Sequence, residues 1–130
     1  MAFVSLSALG FAQNSPYIKA VDEYVPAPGQ FVNELPKLTE NDTPETAAQA
    51  CTKELAGEKH KGVVTLGAYG GYITFHFDHP VINAEGAADF VVYGNAFDGS
   101  SEPGIVMVMK DENGNGKPDD TWYELSGSAD

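Results

Sequence analysis

The chain has no arginine: its seven basic residues are all lysines, set against nineteen aspartates and glutamates, for a formal net charge of −12 over 130 residues. Reading a phosphate backbone takes clustered basic side chains and leans on the bidentate guanidinium, so nucleic acid is excluded as a partner. Anionic membrane surfaces are disfavoured for the same reason. There is one cysteine, Cys51, so no intrachain disulfide can form. No apolar run approaches the roughly 20 residues a membrane-spanning helix needs. Nucleophilic catalysis also lacks its markers, since there is no Gly-x-Ser-x-Gly elbow and no histidine close to Cys51 in the sequence. The glycines at Gly67, Gly70 and Gly71 lie between strand-like segments rather than ahead of a helix, which excludes a phosphate loop.

Apolar residues make up 42% of the chain and aromatics 11%, enough for the core of one domain. The acidity is uneven. Residues 1–65 carry five lysines and eight acids, and residues 66–130 two and eleven, so the second half attracts cations, a divalent metal above all. Residues 2–12 form an apolar, small-residue run ending Gly10-x-Ala12, the pattern a signal peptidase reads. The expectation is a signal-peptide remnant at 1–12 and an exported, periplasmic or surface-located mature chain from Gln13. The competing reading is a buried N-terminal strand.

From residue 14 to 39 the prolines Pro16, Pro26, Pro28 and Pro36 punctuate scattered apolar residues, which reads as extended chain and turns around a body built elsewhere. A helix follows, with Thr43 as cap, Pro44 at its first position, Glu45 in its first turn and Gly57 as its stop. Its buried stripe, Ala47, Ala48, Cys51 and Leu55, is small, so it lies flat on a sheet. Beyond Lys61 the period becomes two. Strands are expected at 63–66, at 72–78 with Ile73, Phe75 and Phe77 on one face, at 90–93, at 105–109 and at 121–125. The segments at 90–93 and 105–109 are apolar on both faces, as interior strands are. The fold class is mainly β, an antiparallel β-sandwich of jelly-roll type with one short N-terminal helix. About five strands fall short of the seven or eight such a fold uses, so residues 13–130 read as one sandwich domain lacking C-terminal strands.

The segment Asp111-Glu-Asn-Gly-Asn-Gly-Lys-Pro-Asp-Asp120 has the most chemical content. It sets oxygen-bearing side chains at Asp111, Asn113 and Asn115, a glycine at the sixth position and acids at Asp119 and Asp120, with the Lys117 carbonyl as a seventh-position donor. Calcium takes six to eight oxygens, and alternate residues of a tight loop converge on one point. Trp122 stands where an EF-hand places its bidentate glutamate, so Asp119, Asp120 or Glu124 would complete the shell and no EF-hand helix pair is expected. A plain Asn-Gly turn is the competing reading.

Other constellations carry less. Glu85, Asp89, Asp98 and Glu102 could supply a glycosidase carboxylate pair or be solvated loop acids. His76 and His79 flank Asp78, but alternation sends the two imidazoles to opposite faces, against a shared zinc. Tyr69, Tyr72, Tyr93, Asn95, Phe97 and Trp122 could line a ligand platform, with flat rings beside amides, or be packing residues.

Taken together, Tyr24-Val-Pro-Ala-Pro-Gly-Gln-Phe-Val-Asn33, Gly70-Gly-Tyr-Ile-Thr-Phe-His-Phe-Asp-His79, Asp89-Phe-Val-Val-Tyr-Gly-Asn-Ala-Phe97, Ser101-Glu-Pro-Gly-Ile-Val106 and the run from Asp111 to Leu125 resemble the exported "cell surface proteins" of gut anaerobic bacteria. The resemblance covers nearly the whole mature chain. It implies a secreted β-sandwich, often the N-terminal part of a longer chain, encoded near outer-membrane uptake systems that include some for corrinoids. The expected function is therefore non-catalytic capture of an extracellular ligand, a glycan or another nutrient, with a corrinoid (vitamin B12) as the alternative, and with the outer-membrane uptake complex as partner.

Overall fold

The computed structural model describes residues 14–58 and 62–127. The proposed signal segment lies outside the described residues. The protein is small and mainly β, with one helix and short antiparallel sheets, in the order β1 (Ala20–Val25), α1 (Pro44–Leu55), β2 (Tyr72–His76), β3 (Met107–Met109) and β4 (Trp122–Glu124). β1 pairs with β2 and β3 with β4, each antiparallel.

The core forms where α1 crosses β1. Val21, Tyr24, Ala47, Ala48 and Cys51 are buried, with Ile18, Leu38, Leu55, Val64, Leu66, Ile73 and Phe75 packed against them. The small side chains of α1 let its axis approach the sheet closely. Its start is fixed by a capping box, in which the Thr43 hydroxyl accepts from Thr46 N–H and the Thr46 hydroxyl accepts from Thr43 N–H at 2.9 Å. Asp42 accepts from Thr39 N–H and from the Thr46 and Thr39 hydroxyls, which holds its carboxyl below the usual range.

β1 lies in a stretch read from the sequence as irregular wrapping, because its buried residues break the period of two. Val21 and Tyr24 are three apart and should occupy opposite faces of a regular strand. A β-bulge between Val21 and Glu23 inserts Asp22 as the extra residue, and Tyr24 returns to the core face. The Val21 N–H donates to the Thr52 hydroxyl at 2.9 Å, and that hydroxyl donates to the Ala48 carbonyl at 2.9 Å, so one side chain of α1 holds the bulge. The Tyr24 hydroxyl donates to the Thr65 carbonyl at 2.7 Å. Burial pushes the Tyr24 phenol up, as does the neighbouring Cys51, so it remains a donor across the ordinary pH range.

Residues 63–66 are not a strand; their backbone ties two loops instead, Leu66 O accepting from Ala27 N–H at 2.9 Å and Thr65 N–H donating to Leu35 O at 2.7 Å. Nor do residues 90–93 pair as a strand: Val91, Val92 and Tyr93 are 66%, 54% and 83% exposed. A strand apolar on both faces needs neighbours in its sheet and a layer on each side, and the described residues supply neither. The expected strands at 105–109 and 121–125 shorten to β3 and β4, a hairpin that packs on none of α1, β1 or β2.

Replacing Tyr24 by phenylalanine is expected to lower stability by about 1 kcal/mol, measured by urea denaturation, because the Thr65 carbonyl loses its donor in a part-buried setting. Cys51 is wholly buried and burial pushes its thiol from 9.0 to about 11, about a hundredfold less of the reactive thiolate near neutral pH. Thiol titration is expected to find it inert in the native protein and fully reactive in denaturant; fast native labelling would mean the α1–β1 core is open.

Candidate functional site

The connection from β3 to β4 is the 111–120 loop, and it is built around one carboxylate. Asp111 accepts three backbone N–H groups, from Gly114 at 2.7 Å and Asn115 at 3.2 Å on Oδ1 and from Gly116 at 2.8 Å on Oδ2. The chain can curl this tightly because Gly114 and Gly116 both take φ of 70°, the left-handed region closed to most side chains. Asn113 and Asn115 add local turns, their Oδ1 atoms accepting from Asn115 N–H at 2.9 Å and Lys117 N–H at 2.8 Å. The far side of the loop folds back onto the two asparagines. The Asn115 amide donates to both oxygens of Asp119 at 3.2 and 3.0 Å, and the Asn113 amide reaches Asp119 and Asp120 at 3.4 Å each. Asp120 accepts from Glu112 N–H at 3.0 Å, and the Trp122 indole donates to Pro118 O at 3.3 Å, fastening the loop to β4.

Of the six sequence-predicted cation ligands, Asn113, Asn115, Asp119 and Asp120 meet through their side chains, Asp111 holds the backbone of the same loop, and Lys117 joins it through its backbone N–H. Among the described residues no three His, Cys, Asp or Glu side chains stand ready around a single metal position. Carboxylates, asparagine amides and a backbone carbonyl are the donor types that suit calcium and not zinc.

The candidate platform residues are divided among three places. Tyr69 and Tyr72 stand at the turn into β2, Tyr93, Asn95 and Phe97 lie in the long connection from β2 to β3, and Trp122 is in β4. Tyr69 is fully exposed and Tyr93 and Phe97 largely so, while Trp122 is half-buried against its own loop. Phe97 closes a tight turn with Ser100 through reciprocal backbone bonds of 3.1 and 2.9 Å. Of the carboxylates considered for glycoside chemistry, Asp89 braces its own turn by accepting from Ala84 N–H at 2.8 Å, and Glu85, Asp98 and Glu102 are exposed. The two histidines take separate carboxylates, His76 with Asp22 at 2.8 Å across the sheet and His79 with Asp78 at 2.6 Å.

Sequence reasoning passed over Phe31. It is 56% exposed with φ of 60°, and nothing in its sequence context marks a left-handed residue. In comparisons with known proteins, no family model and no curated protein matches the chain.

Asp78 accepts from the His79 ring and from Ser15 N–H, and these bonds hold its carboxyl below the ordinary 3.8. Its contribution to stability is therefore present above pH 3.8 and lost as pH falls through the lowered value. The stability difference between wild type and Asp78→Asn is expected to be steady from neutral pH to about 4 and to close below it. Parallel acid-denaturation curves would show that the bonds contribute nothing.

Proposed function

We propose that this chain is an exported, non-catalytic module that captures an extracellular ligand at the cell surface, with calcium rigidifying the 111–120 loop. The observation that carries the reading is the closed 111–120 loop, in which Asp111 gathers the backbone N–H groups and Asn113 and Asn115 reach Asp119 and Asp120. Three carboxylates gathered in a short loop repel one another, and the asparagine amides between them are weak neutral donors that a divalent cation outcompetes. The loop, not the aromatic set, is therefore where the metal enters, and its role is structural. The finer fold is a β-sandwich that residues 14–127 do not complete. Support comes from the apolar residues left in water along 90–93 and around β3, where Ile105 is 72% exposed. The likeness to exported cell surface proteins supports surface location and uptake of a glycan or another nutrient; a corrinoid as ligand rests on that likeness alone.

The test is thermal melting with calcium and with chelator. Calcium at 100 times its dissociation constant is expected to add about 2.7 kcal/mol, and Asp111→Ala is expected to abolish the response. An equal calcium shift in the variant, or none in the wild type, overturns the metal assignment.

A further inference from the structure

Phe31 is held in a conformation that bulky side chains avoid. A non-glycine residue at φ of 60° is strained, and such residues persist where their surroundings over-determine them. Here the surroundings are explicit. The Phe31 carbonyl accepts from both Glu34 N–H and Leu35 N–H at 3.0 Å, the neighbouring Gln30 carbonyl accepts from the Thr65 hydroxyl at 3.1 Å, and Leu35 O accepts from Thr65 N–H at 2.7 Å. A glycine would meet the backbone requirement without strain. The chain has a phenylalanine instead and leaves more than half of it in water, so the ring is not repaid by burial.

Beside it stands the turn at 67–71. Ala68 N–H donates to Pro28 O at 3.3 Å and Gly71 N–H to Ala68 O at 3.3 Å, and a Cβ on Gly67 would collide with the Ala27 carbonyl, so turn and loop meet backbone to backbone. That rigid turn carries Tyr69 wholly exposed, and Tyr72 follows at the start of β2, 46% exposed. Exposed Gln30, Asn33 and Glu34 share the loop with Phe31.

We propose that this tip, with Phe31, Tyr69 and Tyr72, is a platform for neutral saccharides, separate from the 111–120 loop; it rests on the ligand-capture reading and names the ligand class. A sugar ring has an apolar C–H face and a hydroxyl rim. Exposed rings fixed on stiff backbone receive the face at little entropic cost, and nearby amides and a carboxylate take the rim. The surface is open, which suits a polysaccharide chain running across it. The acidity of the chain selects neutral sugars over anionic ones.

The test is affinity electrophoresis of the chain in calcium, through gels containing a soluble β-glucan, a xylan or an α-mannan. Wild type is compared with Tyr69→Ala and Phe31→Gly. Glycine is the informative replacement because it removes the ring and relieves the backbone. Retardation by at least one polysaccharide is expected, with at least a tenfold loss of affinity in each variant and no lowering of the melting temperature. Free migration of the wild type in every gel, retardation retained in either variant, or a lowered melting temperature in Phe31→Gly would overturn the proposal. The calcium shift measured on the same samples tells failure of this platform from failure of the reading beneath it: a preserved shift without retardation rejects the platform alone.

Discussion

The hydroxyl of Thr52 is the contact on which the α1–β1–β2 part of the protein turns. It accepts from Val21 N–H at the bulge of β1 and donates to Ala48 O in its own helix. Without a bulge, β1 could not offer both Val21 and Tyr24 to one face, and one of its two buried side chains would leave the core beneath α1. At the bulge the Val21 N–H turns to α1 in a part-buried setting, where an unmet donor costs about 1–3 kcal/mol. Thr52 removes that cost and sets the height of the helix on the sheet. Ala47, Ala48 and Cys51 then fit because they are small, and Cys51 is sealed entirely. The bulge also re-aims Asp22, which meets His76 across the strand pair at 2.8 Å.

The second half is organised by a different kind of force. Beyond β2 few side chains are buried, and order comes from short-range hydrogen bonds between polar side chains and nearby backbone. Asp89 does this for residues 84–89, Phe97 and Ser100 for their turn, and Asp111 for the loop before β4. Such bonds fix local shape but bury little apolar surface, so they cannot hold elements together over distance. The two halves accordingly differ in what a substitution does: a lost hydroxyl matters at Tyr24, and a lost carboxylate matters at Asp111.

How much was legible in the sequence follows from the same division. The helix was readable to its caps, because Thr43, Pro44 and Gly57 act through backbone rules that need no partner. The 111–120 loop was equally local: Asn-Gly turns and a leading aspartate close it through bonds spanning at most eight residues. β2 was visible through alternation. β1 was not, since a bulge stabilised by a helix more than twenty residues later erases the very alternation that marks a strand. Residues 90–93 failed in the opposite sense: their composition is that of an interior strand, but pairing is a property of neighbours, and none stands beside them among the described residues. Phe31 lay beyond reach because the loop around it is tied to Thr65, far along the chain, at Gln30 and Leu35.

The position of the loop explains why an ion would matter there and not elsewhere. β3 and β4 are three residues each, and an isolated two-stranded hairpin is at best marginally stable in water. No core element backs this hairpin. Among the described residues it is held by the ladder, by the adjoining Leu125–Val106 bond and by the loop, tied to β4 through Trp122 and Pro118. Asp111, Asp119 and Asp120 draw the loop closed through hydrogen bonds while opposing closure through like charge. A divalent cation would reverse the second effect while taking the place of the asparagine amides on the carboxylates, so its free energy would act on hairpin closure. The α1–β1–β2 unit, closed by burial and by Thr52, has no comparable deficit for a metal to correct.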